Sequence, residues 1–188
     1  MHWWNHQPHR LSAFRSACFA LAGILCGSVV QGQESKEYPI KAAYLYNLAV
    51  YTEWPKTSFP NANSPFVIGT LGTADLDRYL TSIASKRKIH GRPIKHLKVR
   101  TANDLEKCHI LFLSSAVAEK SLQTAFKTTA GKPVLLVGET GAFIGQGGSV
   151  RFLFAQNRIR LQIANKTLLE RKLKVSSKLL QVAESVDR

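Results

Sequence analysis

Apolar positions along this chain follow two different periods. Phe66-Val-Ile-Gly-Thr-Leu71, Cys108-His-Ile-Leu-Phe-Leu113 and Pro133-Val-Leu-Leu-Val137 are short continuous apolar runs, the pattern of strands covered on both faces. Residues 73–85 and 116–129, lying between them, read as helices. Ile94-Lys-His-Leu-Lys-Val-Arg100 alternates, with Leu97 and Val99 opposite His96, Lys98 and Arg100, which predicts a half-exposed or edge strand. Strands alternating with helices predict parallel crossovers.

The end of the chain changes character. Ser149-Val-Arg-Phe-Leu-Phe154 and Arg158-Ile-Arg-Leu-Gln-Ile163 flank a short Ala-Gln-Asn turn and predict an antiparallel hairpin. Val150, Phe152, Phe154, Ile159, Leu161 and Ile163 fall on one face, and Arg151, Arg158 and Arg160 on the other. Asn165 is placed to cap a helix beginning at Lys166, with Glu170 and Lys174 as an i, i+4 ion pair. Ser176 is placed to cap a further turn, whose Leu179, Leu180, Ala183 and Val186 fold back onto the sheet. The expected fold is α/β: a Rossmann-like, mostly parallel sheet flanked by helices, with a C-terminal antiparallel hairpin and terminal helices.

Ile40-Lys-Ala-Ala-Tyr-Leu-Tyr-Asn-Leu-Ala-Val-Tyr-Thr-Glu-Trp-Pro55 is helix-length and unusually aromatic. Tyr44, Leu48 and Tyr51 sit at i, i+4 and i+7, beside a stripe of Ala42, Leu45, Ala49 and Thr52, so the helix needs cover on most sides. Pro55 removes a backbone donor and turns Trp54 from helical angles, which places the helix end at about Glu53 or Trp54. Leu45, Tyr51 and Trp54 are expected in the core. Tyr44, Tyr46 and Asn47 carry polar atoms able to face a cleft or partner.

Ahead of that helix, Arg10 and Arg15 precede an uncharged apolar run, Ser16 to Val30, followed by Gln31-Gly32. The pattern predicts a secretory signal peptide over residues 1–32, cleaved after Gly32, and one domain over 33–188. The whole chain has a net charge of +14, and loss of the leader removes two arginines and leaves +12 on 156 residues. No zinc-binding, helix-turn-helix or RNA-stacking signature accompanies the basic residues, so acidic protein surfaces or anionic headgroups are the expected attraction and nucleic acid is not. Cys108 is the single cysteine beyond the leader, in a strand-like run that predicts a buried, inert thiol.

Signatures of bond-making chemistry are absent. His90, His96 and His109 form no His-x-x-x-His pair, no carboxylates stand at ligand spacing, and Gly-x-Ser-x-Gly is missing. No metal, cofactor or catalytic residue is expected. Gly69-Thr-Leu-Gly72 is an incomplete phosphate-binding turn whose following Asp75 and Asp77 would repel phosphate. The glycine-rich segment Gly138 to Gly148 is the strongest loop candidate for a small ligand, or else a tight reversal between parallel and antiparallel parts of the sheet. His90-Gly-Arg-Pro93 reads as a turn, with Arg92 a possible anion contact. Tyr44, Asn47, Arg92, Phe143, Gly147, Gly148, Arg151, Arg158 and Arg160 make up the candidate partner or ligand surface.

Lys41-Ala-Ala-Tyr-Leu-Tyr-Asn47 with Glu53-Trp-Pro55, Gly91-Arg-Pro-Ile94, Cys108-His-Ile-Leu-Phe112, Gly141-x-Phe143 with Gly147-Gly148, and Ser176-Ser-Lys-Leu-Leu180 occur in an order that resembles the YfiR family. The resemblance implies an exported α/β protein, often a homodimer, that binds the periplasmic domain of an inner-membrane signalling protein. Repression of a diguanylate cyclase, and with it lower cyclic-di-GMP and less biofilm, is the function it implies. A periplasmic small-ligand sensor feeding a membrane sensor kinase is the alternative. The better-known member looks like a disulfide-containing protein; with Cys108 alone past the leader, a redox switch based on an internal bridge is not carried over.

Overall fold

The computed structural model describes residues 36–155, 158–181 and 183–185, all within one compact unit, Ser35–Arg188. The predicted leader, the Gln156-Asn157 turn and Val186 lie outside the described residues. Helix α1 spans Glu37–Val50. It is followed by β1 (Thr52–Glu53), a 3-10 turn at Lys56–Ser58, β2 (Phe66–Leu71), α2 (Asp75–Lys86), β3 (Lys88–Ile89) and β4 (Arg92–Lys98). Then come α3 (Ala102–Leu105), β5 (Ile110–Leu113), α4 (Glu119–Thr128) and β6 (Leu135–Gly138). The hairpin strands β7 (Val150–Ala155) and β8 (Arg158–Ile163) lead to α5 (Asn165–Glu170), β9 (Lys174–Val175), α6 (Ser177–Gln181) and β10 (Glu184–Ser185).

Eight strands form one sheet in the order β10-β8-β7-β6-β5-β2-β4-β3, and β1 pairs with β9 in a separate ribbon. From β4 through β7 every pairing is parallel, while β7–β8 and β3–β4 are antiparallel. The expected α/β sheet and hairpin are both present. Each apolar run became a central strand because both faces are covered: Phe66, Ile68, Ile110, Phe112, Leu135 and Val137 turn to one core with Leu45 and Leu48 of α1. Val67, Leu111 and Leu136 turn to the opposite core with Leu122, Ala125 and Phe126 of α4. The amphipathic helices follow the same logic. In α2, Leu76 and Leu80 are buried, Asp75 and Asp77 occupy the first turn and Lys86 the last, complementing the helix dipole.

Hairpin register matches expectation: Val150↔Ile163, Phe152↔Leu161 and Phe154↔Ile159 face each other. Phe154 near the tip is nevertheless 44% exposed, although Ile159 opposite it is buried in the core. Strand β4 lies second from the edge, beside the two-residue β3. Ile89 pairs with Arg92 across a two-residue turn whose His90 and Gly91 have φ of 48° and 79°, the twist-matched geometry for a tight hairpin.

Several local expectations give way. Helix α1 stops at Val50, before the predicted Glu53 or Trp54, because Thr52 and Glu53 are recruited by β9 and Ser176 donates its N–H to Tyr51 O at 2.9 Å. Tyr51 is thereby left exposed at 41% rather than in the core, while Leu45 is buried and Trp54 packs partly buried against it. Ala164, not Asn165, is the residue preceding α5, and no side chain caps that end. Glu170 and Lys174 do not share a helix face: α5 ends at Glu170 and Lys172 turns the chain at φ 60°. Helix α6 does follow Ser176, although the Ser176 Oγ finds no partner, and Leu179 is buried in the core with Leu180 and Ala183 packed on it.

Candidate functional surface

The glycine-rich segment after β6 closes around its own phenylalanine. Phe143 is fully buried and its ring stands 5.5 Å from that of Phe126. A Cβ on Gly138 would lie 2.3 Å from Phe143 Cε2, and one on Gly148 would lie 2.2 Å from Phe143 Cδ1. These two glycines therefore clear space for a ring, and Gly147, at φ 103°, turns the backbone back into β7. Phe143 was expected on the ligand surface; it is instead the plug that makes the loop a tight reversal. Two oppositely charged groups brace the loop: Glu139 pairs with the buried Lys41 of α1, which also holds Glu37, and accepts the Ser115 N–H at 2.9 Å.

Sheet order reverses between β2 and β5, where open α/β folds usually bind ligands. Here Ser114 donates its hydroxyl to Gly72 O at 2.7 Å, and a Cβ on Gly72 would meet Val117 Cγ2 at 2.5 Å. That crevice is filled by protein. A groove of about 130 Å³ opens nearby between α3 and α4, with Leu71, Val99 and Leu105 below Arg100, Ser121 and Thr124.

Arg92 is half-buried, its guanidinium engaged within the chain rather than offered to an anion. Its guanidinium donates to the carbonyls of Asn61, Ala62 and Ser64 at 2.8, 2.9 and 3.0 Å and stacks on the Phe59 ring at 3.9 Å. Phe59 in turn stacks on His109 at 4.5 Å, His109 on Phe66 at 4.9 Å, and Trp54 meets Phe66 edge-on at 4.8 Å. This column ties the 56–65 loop to the sheet. His109 accepts from Val67 N–H through Nδ1 at 3.0 Å and lies 3.2 Å from Ser58 O through Nε2, which requires the neutral Nε2–H tautomer. Burial lowers its pKa, Ser58 opposing and Arg92 adding to the effect.

A second buried cluster was not foreseen. Thr70 donates to Asp77 Oδ1 at 2.8 Å, His96 Nε2 lies 3.2 Å from that same oxygen and 3.0 Å from Thr70 Oγ1, and Lys98 Nζ reaches Asp77 Oδ2 at 2.9 Å. The residue types are those of hydrolytic chemistry, but the hydroxyl proton is given to the carboxylate and α2 covers the group. It works as a bolt between α2 and strands β2 and β4. Burial pulls the His96 pKa down despite the opposing Asp77. Alternation in the sequence puts His96 and Lys98 on one side of β4, but only the parallel pairing of β2 with β4 brings Thr70 to them.

The three arginines of the hairpin do share one side. Arg151 stands opposite Gln162, Arg160 opposite Leu153 and Arg158 opposite Ala155; Arg158 and Arg160 are exposed and Arg151 half-buried. On the opposite side of the hairpin Tyr44 packs edge-on to Phe152 at 6.1 Å and donates to Ile159 O at 3.4 Å, while Asn47 is exposed on α1. The predicted surface residues thus do not converge: Arg151 joins the glycine loop, Arg158 and Arg160 extend from it, Tyr44 and Asn47 lie across the sheet, and Arg92 sits with the 61–64 turn.

Cys108 is buried and unpaired, its thiol pushed up to about 12 mainly by burial. Among the described residues no group of three or more His, Cys, Asp or Glu is arranged to hold a metal ion. No helix among them is long and apolar enough to cross a membrane.

No curated protein matches the chain. One solved structure similar to it is an ABC domain in complex with L-Trp from Streptococcus pneumonia, 12% identical, with a TM-score of 0.46 over 64% of this chain and 54% of that one. The chain thus spans about half the length of that structure, and so distant a likeness carries no argument about function. The family description YfiR/HmsC-like, in contrast, matches residues 38–184, from the first turn of α1 to β10. The chain belongs to the YfiR/HmsC-like family.

Proposed function

We propose that this is an exported regulatory protein that acts by binding the periplasmic domain of an inner-membrane signalling protein, repressing a diguanylate cyclase and lowering cyclic-di-GMP. The observation that carries the reading is the family match across 38–184. Two features support it: the arginine-bearing side of the hairpin suits an acidic partner surface, and the Thr70-Asp77-His96 grouping is spent on holding α2 in place. No bond need be made or broken. Holding a cyclase about 99 per cent inactive from an even start takes about 2.7 kcal/mol of differential binding, within reach of a modest interface.

Deleting the gene and measuring cyclic-di-GMP tests this directly. Levels should rise, and a membrane cyclase should co-purify with the tagged protein; unchanged levels with no cyclase recovered would sink the reading. Export through cleavage after Gly32 belongs to the same proposal and predicts a secreted chain beginning at Gln33, read by N-terminal sequencing. A homodimer is also part of it, and light scattering giving the mass of one chain would remove that element.

A further inference from the structure

Thr140 Oγ1, Gln146 Oε1 and Ser149 Oγ, in the segment that joins β6 to β7, and Arg151 Nε, at the start of β7, are buried polar atoms without a hydrogen-bond partner among the described residues. Unpaired buried donors are rare because each loses its water without recovering a hydrogen bond. Arg151 spends Nη1 on Gln162 Oε1 at 3.1 Å. Its Nε–H and Nη2 form the other edge of the guanidinium, the two-donor fork that matches a carboxylate. Gly141 lies against that edge: a Cβ there would stand 4.0 Å from Arg151 Nη2, in van der Waals contact. Ser149, two residues before Arg151, comes to the same side by the strand period. The loop's own carboxylate, Glu139, is held by Lys41 and the Ser115 amide and does not serve the fork.

We propose that Arg151, with the hydroxyls of Thr140 and Ser149, is a carboxylate-binding site under the glycine loop. A monoanion is the fitting class, since one guanidinium supplies the charge and Lys41 is already neutralised by two carboxylates. The carboxylate comes either from a small free acid or from an acidic side chain of a protein partner. This deepens the regulatory reading by naming the chemistry that the surface takes, and because its test uses the purified protein alone, its failure is separable from failure of the cyclase experiment.

The experiment follows the Arg151 Nε–H signal by 15N-resolved NMR, identified by its disappearance in Arg151→Lys. Sodium acetate should move it saturably, while sodium chloride at matched ionic strength should not. Gly141→Leu, at an exposed position with no positive φ to violate, should abolish the shift and leave the remaining spectrum in place. A shift with acetate supports a free acid as the source, and a shift seen only with a short oligoglutamate peptide supports an acidic partner segment. A signal that ignores both, moves equally with chloride, or still responds in Gly141→Leu overturns the site.

Discussion

The Nδ1 atom of His109 accepts the backbone N–H of Val67 at 3.0 Å, so this imidazole cannot take a second proton without setting two donors against each other. Burial lowers the pKa of both His109 and His96 below the ordinary histidine value, and the unfolded chain therefore binds more protons than the native one at mildly acid pH. Stability is fully present above about pH 6.5 and is lost as pH falls below it, by about 1.4 kcal/mol per pH unit for each histidine until its native pKa is reached. Melting temperature measured from pH 7.5 to 5 should decline, and His109→Asn should flatten the slope. A flat profile in the native protein would show that neither imidazole is held neutral. Asp104, lowered to about 2 chiefly by its hydrogen bond to Thr101, acts in a separate window: its contribution is lost only below about pH 4.

Gly148→Ala should cost about 1–3 kcal/mol, because the new Cβ would press on the Phe143 ring and on the Phe143 carbonyl, 2.7 Å away. Phe143→Ala empties a fully buried site and should cost about 3–5 kcal/mol. Chemical denaturation of the double variant should show less than the sum, since the ring that the methyl strikes is gone. Gly145→Ala, whose nearest neighbour would be 3.5 Å away, is the control expected to stay within about 0.5 kcal/mol of the parent.

Arg92→Lys keeps the charge but loses the planar guanidinium that covers Phe59 while its Nη1 reaches three carbonyls. The expected loss is about 1–3 kcal/mol. Its local signature is faster tryptic cleavage after the exposed Lys56, at the start of the loop that Arg92 holds. Equal cleavage rates in parent and variant would show that the loop is anchored elsewhere.

Cys108 should resist maleimide in the native protein at pH 8 and react fully in denaturant. Its thiol stays protonated there, with a pKa of about 12, and its sulfur lies 2.3 Å from the space a Cβ on Gly69 would fill. Gly69→Ala should be poorly tolerated for that reason, and Gly69→Ala combined with Cys108→Ala should recover part of the loss. Rapid native labelling would contradict the buried position.

How much of the site was legible follows from where each residue finds its partners. The arginine side of the hairpin was readable, because period-two alternation and a short connection define both register and face. Arg92 was misplaced, since nothing in His90-Gly-Arg-Pro93 says that carbonyls of residues 61–64 will converge on its guanidinium. Phe143 was misread for a related reason: an aromatic among glycines has no period, and only the fit between Gly138 and Gly148 shows that it turns inward.

Local pattern alone determined the longer strands β2 and β4 to β8, the amphipathic helices α2 and α4, the hairpin register and the burial of Cys108, since each depends on neighbours in sequence and on which positions must leave water. Tertiary structure alone decided that α1 yields Thr52 and Glu53 to β9, that the exposed Lys98 reaches the buried Asp77–His96 pair, and that Arg151 Nε is left without an acceptor. Those outcomes arise where parallel pairing brings together residues many positions apart, and the hydrogen bonds and close contacts formed there leave no periodic trace in the chain.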